Sequence, residues 1–179
     1  MPSLVDKIVE VHRSLAAAGV PHAFGGALAL AWCTERARGT IDIDVNAFVG
    51  ADRLDAVLDA LPAGVRWTDD DVGLLRRDGQ ARLWWDQTPV DLFLDTTAFH
   101  ETLGDRVRIE PFAGAEVPFL GCTDLAVFKA FFDRTKDWAD LEEMLAAGTL
   151  DVDRTLGVLV RYLGGDDHRV ARLRALAGT

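Results

Sequence analysis

From Thr40 to Val49 the chain alternates with almost no exception: Ile41, Ile43, Val45, Ala47 and Val49 fall on one side, and Asp42, Asp44 and Asn46 on the other. A period of two is the signature of a β-strand with one buried face. Aspartate is depleted in strands, and here it occurs twice in an Ile/Val run. A chain built around this segment needs a sheet, needs cover for the Ile/Val face, and carries a paired acidic face that calls for a reason. The plain alternative is that both acids solvate the outer face of an edge strand.

The rest of the chain can supply that cover. It has 179 residues, 49% of them hydrophobic and 27% charged, which suits one globular domain and excludes a disordered or low-complexity chain. The formal net charge of −10 speaks against broad, non-specific nucleic-acid binding, which relies on many Lys/Arg–phosphate contacts. No stretch approaches the roughly 20 apolar residues of a membrane helix, and the opening Met1–Lys7 lacks the basic and apolar regions of a signal peptide. A cytoplasmic protein with no membrane partner is the expectation. Cys33 and Cys122 stand far apart and in no metal-ligand spacing, so both are expected to be buried thiols rather than a disulfide or a zinc site.

Along the chain, Ser3 is placed to cap a helix reaching about Ala18, and Pro21–Phe24 reads as a short strand. Gly25-Gly26 reads as a turn, and Ala27 to about Glu35 as a buried helix. After the acidic strand, a helix is expected over about Asp52–Leu61. Strands are expected at Val65–Thr68, Val72–Arg76, Ala81–Asp86 and Val90–Asp95, with short ones at Val107–Ile109 and Val117–Leu120. From Thr123 the chain turns helical, over Asp124–Phe132, about Trp138–Ala147, about Val152–Leu163 and Asp167–Leu176. The expected architecture is α+β: a single domain over 1–179, with a sheet-containing core over 1–122 and a helical C-terminal subdomain over 123–179.

Asp42 and Asp44, two residues apart on one strand face, place their Cα atoms roughly 6.5–7 Å apart. Carboxylates at that spacing can grip one or two hard divalent cations such as Mg²⁺, with Mn²⁺ the alternative. Mg²⁺ takes one or two carboxylates and completes its shell with water and substrate phosphates. Asp91 interrupts Val90, Leu92 and Leu94 in the same way and is the natural third acid, although an exposed strand aspartate has the same appearance. The adjacent Gly25 and Gly26, before a helix, leave backbone N–H groups open to phosphate oxygens; most such pairs mark only a tight turn.

Taken together, Gly25-Gly26, Arg38-x-Thr40-x-Asp42-x-Asp44 and Asp91 resemble the polymerase-β-type nucleotidyltransferase superfamily. Asp124–Lys129 followed by Arg134–Leu141 is similar to the helical segment of the AbiEii/MenT-type toxin nucleotidyltransferases, so the likeness spans roughly residues 20–145. The resemblance implies a nucleotidyltransferase-like mixed β-sheet and metal-dependent transfer of a nucleoside monophosphate from a nucleoside triphosphate to an acceptor hydroxyl. It implies Asp42, Asp44 and Asp91 as metal-binding and catalytic acids, and Gly25 and Gly26 as the phosphate-binding turn. Lys129 is implied as catalytic and nucleotide-binding, with Arg38, Lys136, Asp137 and Asp140 around the nucleotide. The toxin branch implies tRNA as acceptor and a cognate antitoxin as partner.

Each of these residues has a plainer role as well. Lys129 can snorkel from a core-facing helix, Lys136 and Arg134 can be solvated, Asp137 can cap a helix, and Asp140 can pair with Lys136. Arg38 can pair with a nearby carboxylate. Arg161, Arg169, Arg172 and Arg174 form either an RNA-facing patch or a solvated helix face. Three other functions stay open: transfer to a protein or to a small molecule such as an aminoglycoside, a glycosyltransferase using Asp42-Ile43-Asp44 as a D-x-D motif, and a non-catalytic nucleotide- or partner-binding module.

Overall fold

The structure is a computed structural model that describes residues 1–36 and 39–178. Arg38 therefore lies outside the described residues. The fold is α+β, around a seven-stranded mixed sheet of order β3-β4-β5-β2-β1-β7-β6. The strands are β1 (His22–Phe24), β2 (Ile43–Ala47), β3 (Val65–Arg66), β4 (Gln80–Trp85), β5 (Thr88–Leu94), β6 (Arg108–Phe112) and β7 (Ala115–Phe119). β2 runs parallel to β5 and antiparallel to β1, while β4–β5 and β6–β7 are antiparallel hairpins.

The chain divides into two compact units. The sheet unit contains residues up to Leu28 and from Gly39 to Leu120. It holds all seven strands together with α1 (Leu4–Ala17), α3 (Leu54–Ala60) and α4 (Asp69–Asp78). Ile43, Val45, Ala47, Val90, Leu92 and Leu94 are buried on one face, as the alternation requires. α1 is closed by a Ser3–Asp6 capping box and turns Ile8, Val11 and Leu15 inward. Its Lys7 is also buried, and its ammonium donates to the Trp85 carbonyl at 2.8 Å, to Thr88 at 3.1 Å and to Asp86 at 3.2 Å. One helix lysine thus ties down the tip of the β4–β5 hairpin.

The helical unit contains α2 (Gly26–Thr34) from Ala29 onward and everything after Gly121: α5 (Cys122–Phe132), α6 (Thr135–Ala146), α7 (Val152–Leu163) and α8 (His168–Ala177). Cys33 in α2 and Cys122 at the start of α5 form a disulfide, with Cα atoms 5.6 Å apart. The expectation of two free buried thiols is therefore overturned. A separation of 89 residues conceals a proximity that exists only in the folded chain.

Three local expectations change as well. Val72–Arg76 is not a strand but the body of α4. Thr68 and Asp71 form a capping box at its start, Asp69–Asp71 fill its first turn, Arg76 and Arg77 its last, and Gly79 closes it at φ +70°. Caps and complementary charges at both ends outweigh a short apolar run. The acidic strand is shorter than its alternation, and Ile41 lies before it, 79% exposed. Finally, β2 is an interior strand, so Asp44 does not sit on a sheet edge, and Asp42 lies just before the strand, outside it. Among the described residues no helix is long and apolar enough to cross a membrane.

Candidate active site

The sheet register assembles the site. Asp44 on β2 is the direct partner of Asp91 on β5, and Asp91 is in turn the partner of Arg82 on β4. Register partners on adjacent strands, about 4.8 Å apart, project to the same face. Asp44, Asp91 and Arg82 therefore stand in one row across three strands, on the face opposite the Val/Leu/Ile core.

Arg82 grips Asp91 in a two-pronged ion pair, Nε to Oδ1 at 2.7 Å and Nη2 to Oδ2 at 2.7 Å. The same Nη2 lies 4.0 Å from Oδ2 of Asp42. The Arg82 pKa is raised, first by the hydrogen bond to Asp91 and then by the fields of Asp91, Asp42 and Asp44, against the cost of burial. All three acids thus act on one guanidinium. Asp42 is held from its own loop, where the Thr40 hydroxyl donates to Oδ1 at 2.5 Å.

The glycine turn lies against the middle acid. Gly25 N–H donates to the Asp44 carbonyl at 3.0 Å. Gly26, at φ +52°, is so close to the Asp44 side chain that a Cβ built there would meet Oδ2 at 1.9 Å and Cγ at 2.5 Å. At this position glycine is required twice, for the left-handed backbone and for the close approach of a carboxylate. Gly25 is under less constraint, since its Cβ would meet Asn46 Nδ2 at 3.0 Å and Leu120 Cδ1 at 3.2 Å.

Asp42, Asp44 and Asp91 are hard oxygen donors, the chemistry that Mg²⁺ or Mn²⁺ prefers, and in this respect they fit a divalent cation. Among the described residues no group of three or more acid, histidine or cysteine side chains stands ready to hold a metal as it is. Both oxygens of Asp91 are already engaged by Arg82. Further along the chain, just past β5, the Asp95 carboxyl is pushed up to about 6 by burial, with the charge of Glu101 adding to the shift.

In the helical unit, Lys129 and Asp140 are both buried, and the ammonium donates to Asp140 Oδ2 at 2.6 Å and lies 3.8 Å from Asp137. Asp137 caps α6 and accepts from the Arg134 backbone at 3.3 Å and from its guanidinium at 2.6 and 3.1 Å. Asp140 pairs with Lys129, and Lys136 is exposed on the first turn of α6. In the C-terminal arginine group, Arg169 pairs with Asp167 at 2.9 Å, and Arg172 stacks over Trp138 at 4.5 Å and lies 3.7 Å from Asp133. Both are engaged with their own helices' surroundings.

Arg82 is the site residue that sequence reading passed over. A signal for it existed. A two-residue loop, Asp86-Gln87, joins β4 to β5, and counting back from it pairs position 82 with position 91.

The fold is nucleotidyltransferase-like. It is similar to the solution structure of the antibiotic-resistance factor ANT(2'')-Ia, with a TM-score of 0.55 and 16% identity, over 97% of this chain and 90% of that one. The crystal structure of ANT(2'')-Ia in complex with adenylyl-2''-tobramycin matches with a TM-score of 0.55 and 14% identity, over 97% of each chain. No protein-family model matches the chain, and no curated protein does.

Proposed function

We propose that this chain is a metal-dependent nucleotidyltransferase that moves a nucleoside monophosphate from a nucleoside triphosphate to an acceptor hydroxyl. The observation that carries this reading is the row Asp44–Asp91 on adjacent parallel strands, with Gly26 packed against Asp44. A fold shared with ANT(2'')-Ia, whose crystal structure is in complex with adenylyl-2''-tobramycin, supports it.

Asp42 and Asp44 are the residues that would hold the divalent cation, together with Asp91. When bound, the cation supplies neutralisation and orientation of the triphosphate. The acceptor oxygen bonds to the α-phosphorus, the bond from that phosphorus to the bridging oxygen breaks, and pyrophosphate leaves. Asp91 takes the hydroxyl proton once it is freed from Arg82. The Gly25-Gly26 turn leads into the N-terminus of α2, where backbone N–H groups and the helix dipole favour phosphate oxygens.

The resemblance to the toxin branch favours tRNA as the acceptor and an antitoxin as partner. The test is incubation of the wild type and of Asp42→Ala with each labelled nucleoside triphosphate, Mg²⁺ and, in separate reactions, total RNA, total protein and aminoglycosides. Label should enter one pool with the wild type and fall by at least about 100-fold in Asp42→Ala. Label in tRNA supports the toxin reading, and label in protein or aminoglycoside moves the acceptor while keeping the chemistry. No incorporation into any pool would overturn the proposal.

A further inference from the structure

Arg82 stands where a cation-dependent site is least expected to carry a positive charge. Three features bring it to Asp91. The two-residue hairpin sets its register opposite Asp91, Lys7 pins the hairpin tip, and its guanidinium matches the carboxylate geometry with two 2.7 Å contacts. Lysine could not make that fork. The Asp91 carboxylate is largely buried, with 17% of its side chain exposed, whereas Arg82 remains half-exposed at 52%. The acid is held in place and the arginine has room to leave.

A carboxylate whose two oxygens both accept from a guanidinium is a weaker metal ligand, because one lone pair on each oxygen is taken and the guanidinium charge repels a second cation beside it. We propose that Arg82 is an internal counter-ion that competes with the divalent cation for Asp91, and that a triphosphate relieves the competition by offering the guanidinium another anion. Cation and nucleotide then bind cooperatively, since each removes part of the cost of the other. Arg82 is a positioning residue in this scheme: it acts on the chemistry through Asp91. The inference rests on the function proposed above.

The experiment is calorimetric titration of the full chain with Mn²⁺ and Mg²⁺, with and without a non-hydrolysable nucleoside triphosphate analogue. Wild type, Arg82→Gln, Arg82→Lys, Asp44→Asn and Arg76→Gln are compared, and circular dichroism checks that each is folded. Without nucleotide, Arg82→Gln should bind the cation about tenfold more tightly than wild type, with Arg82→Lys in between. Arg76, whose partner is Asp55, controls for net charge, and its variant should match wild type. Adding the analogue should tighten cation binding in wild type and change it little in Arg82→Gln. Unchanged or weaker cation binding in Arg82→Gln, with Asp44-dependent binding present in wild type, would overturn the counter-ion role alone. No Asp44-dependent binding under any condition would overturn both this role and the proposed function.

Discussion

Gly26→Ala is expected to lower nucleotidyl transfer by about 100-fold while leaving the protein folded. The added Cβ would stand 1.9 Å from an Asp44 oxygen and 2.5 Å from its Cγ, so the carboxylate has to swing out of its row with Asp91. Displacing a catalytic group by about 1 Å commonly costs on the order of 100-fold in rate. The backbone adds a smaller penalty, about 1–2 kcal/mol for an L-residue at φ +52°. A thermal melt together with an initial-rate assay separates the two effects. Gly25→Ala serves as the internal comparison: its contacts of 3.0 and 3.2 Å ask its neighbours to give by tenths of an ångström, and a loss of only a few-fold is expected. Equal rates for Gly26→Ala and wild type would show that the close approach to Asp44 has no part in the chemistry.

The second large effect concerns stability. The Cys33–Cys122 bond spans a separation of 89 residues, and closing a loop of that length removes about 4–5 kcal/mol of chain entropy from the unfolded state. Cys33→Ser, or reduction of the wild type, should lower the free energy of unfolding by about 3–5 kcal/mol, which is a large part of a typical domain's stability. Guanidinium titration with and without reductant measures this. Coincident curves would mean that the bond contributes nothing to the folded state. Disulfides persist in oxidising surroundings, so the contribution depends on where the protein resides.

What could be read from the sequence was mostly what local periodicity encodes. The acidic strand, the glycine turn before it and the strand of Asp91 each announce themselves within ten residues, because alternation and turn chemistry are local. The part of β5 from Val90 to Leu94 and all four C-terminal helices are legible for the same reason, whereas its first two residues, Thr88 and Pro89, read as a break. Where two local signals competed, the stronger one was missed: the Thr68–Asp71 capping box makes a helix of a segment whose Val72, Leu74 and Leu75 also suit a strand. Arg82 and the disulfide depend on register and on packing over 89 residues, and no periodicity carries such information. The Lys129–Asp140 pair lies between these extremes. Its residues were marked by the resemblance, while their burial and mutual contact emerge only from the packing of α5 with α6.

The central claim is that Asp42, Asp44 and Asp91 share one cation beside the Gly25-Gly26 turn. A crystal of the protein grown with Mn²⁺ and a non-hydrolysable nucleoside triphosphate, with data collected at the manganese edge, tests it most directly. The account predicts an anomalous peak at ligand distance from carboxylate oxygens of Asp42, Asp44 and Asp91, with Arg82 turned away from Asp91. A peak bound elsewhere, or a nucleotide-bound structure with the Arg82–Asp91 fork intact and no manganese on these acids, would contradict it.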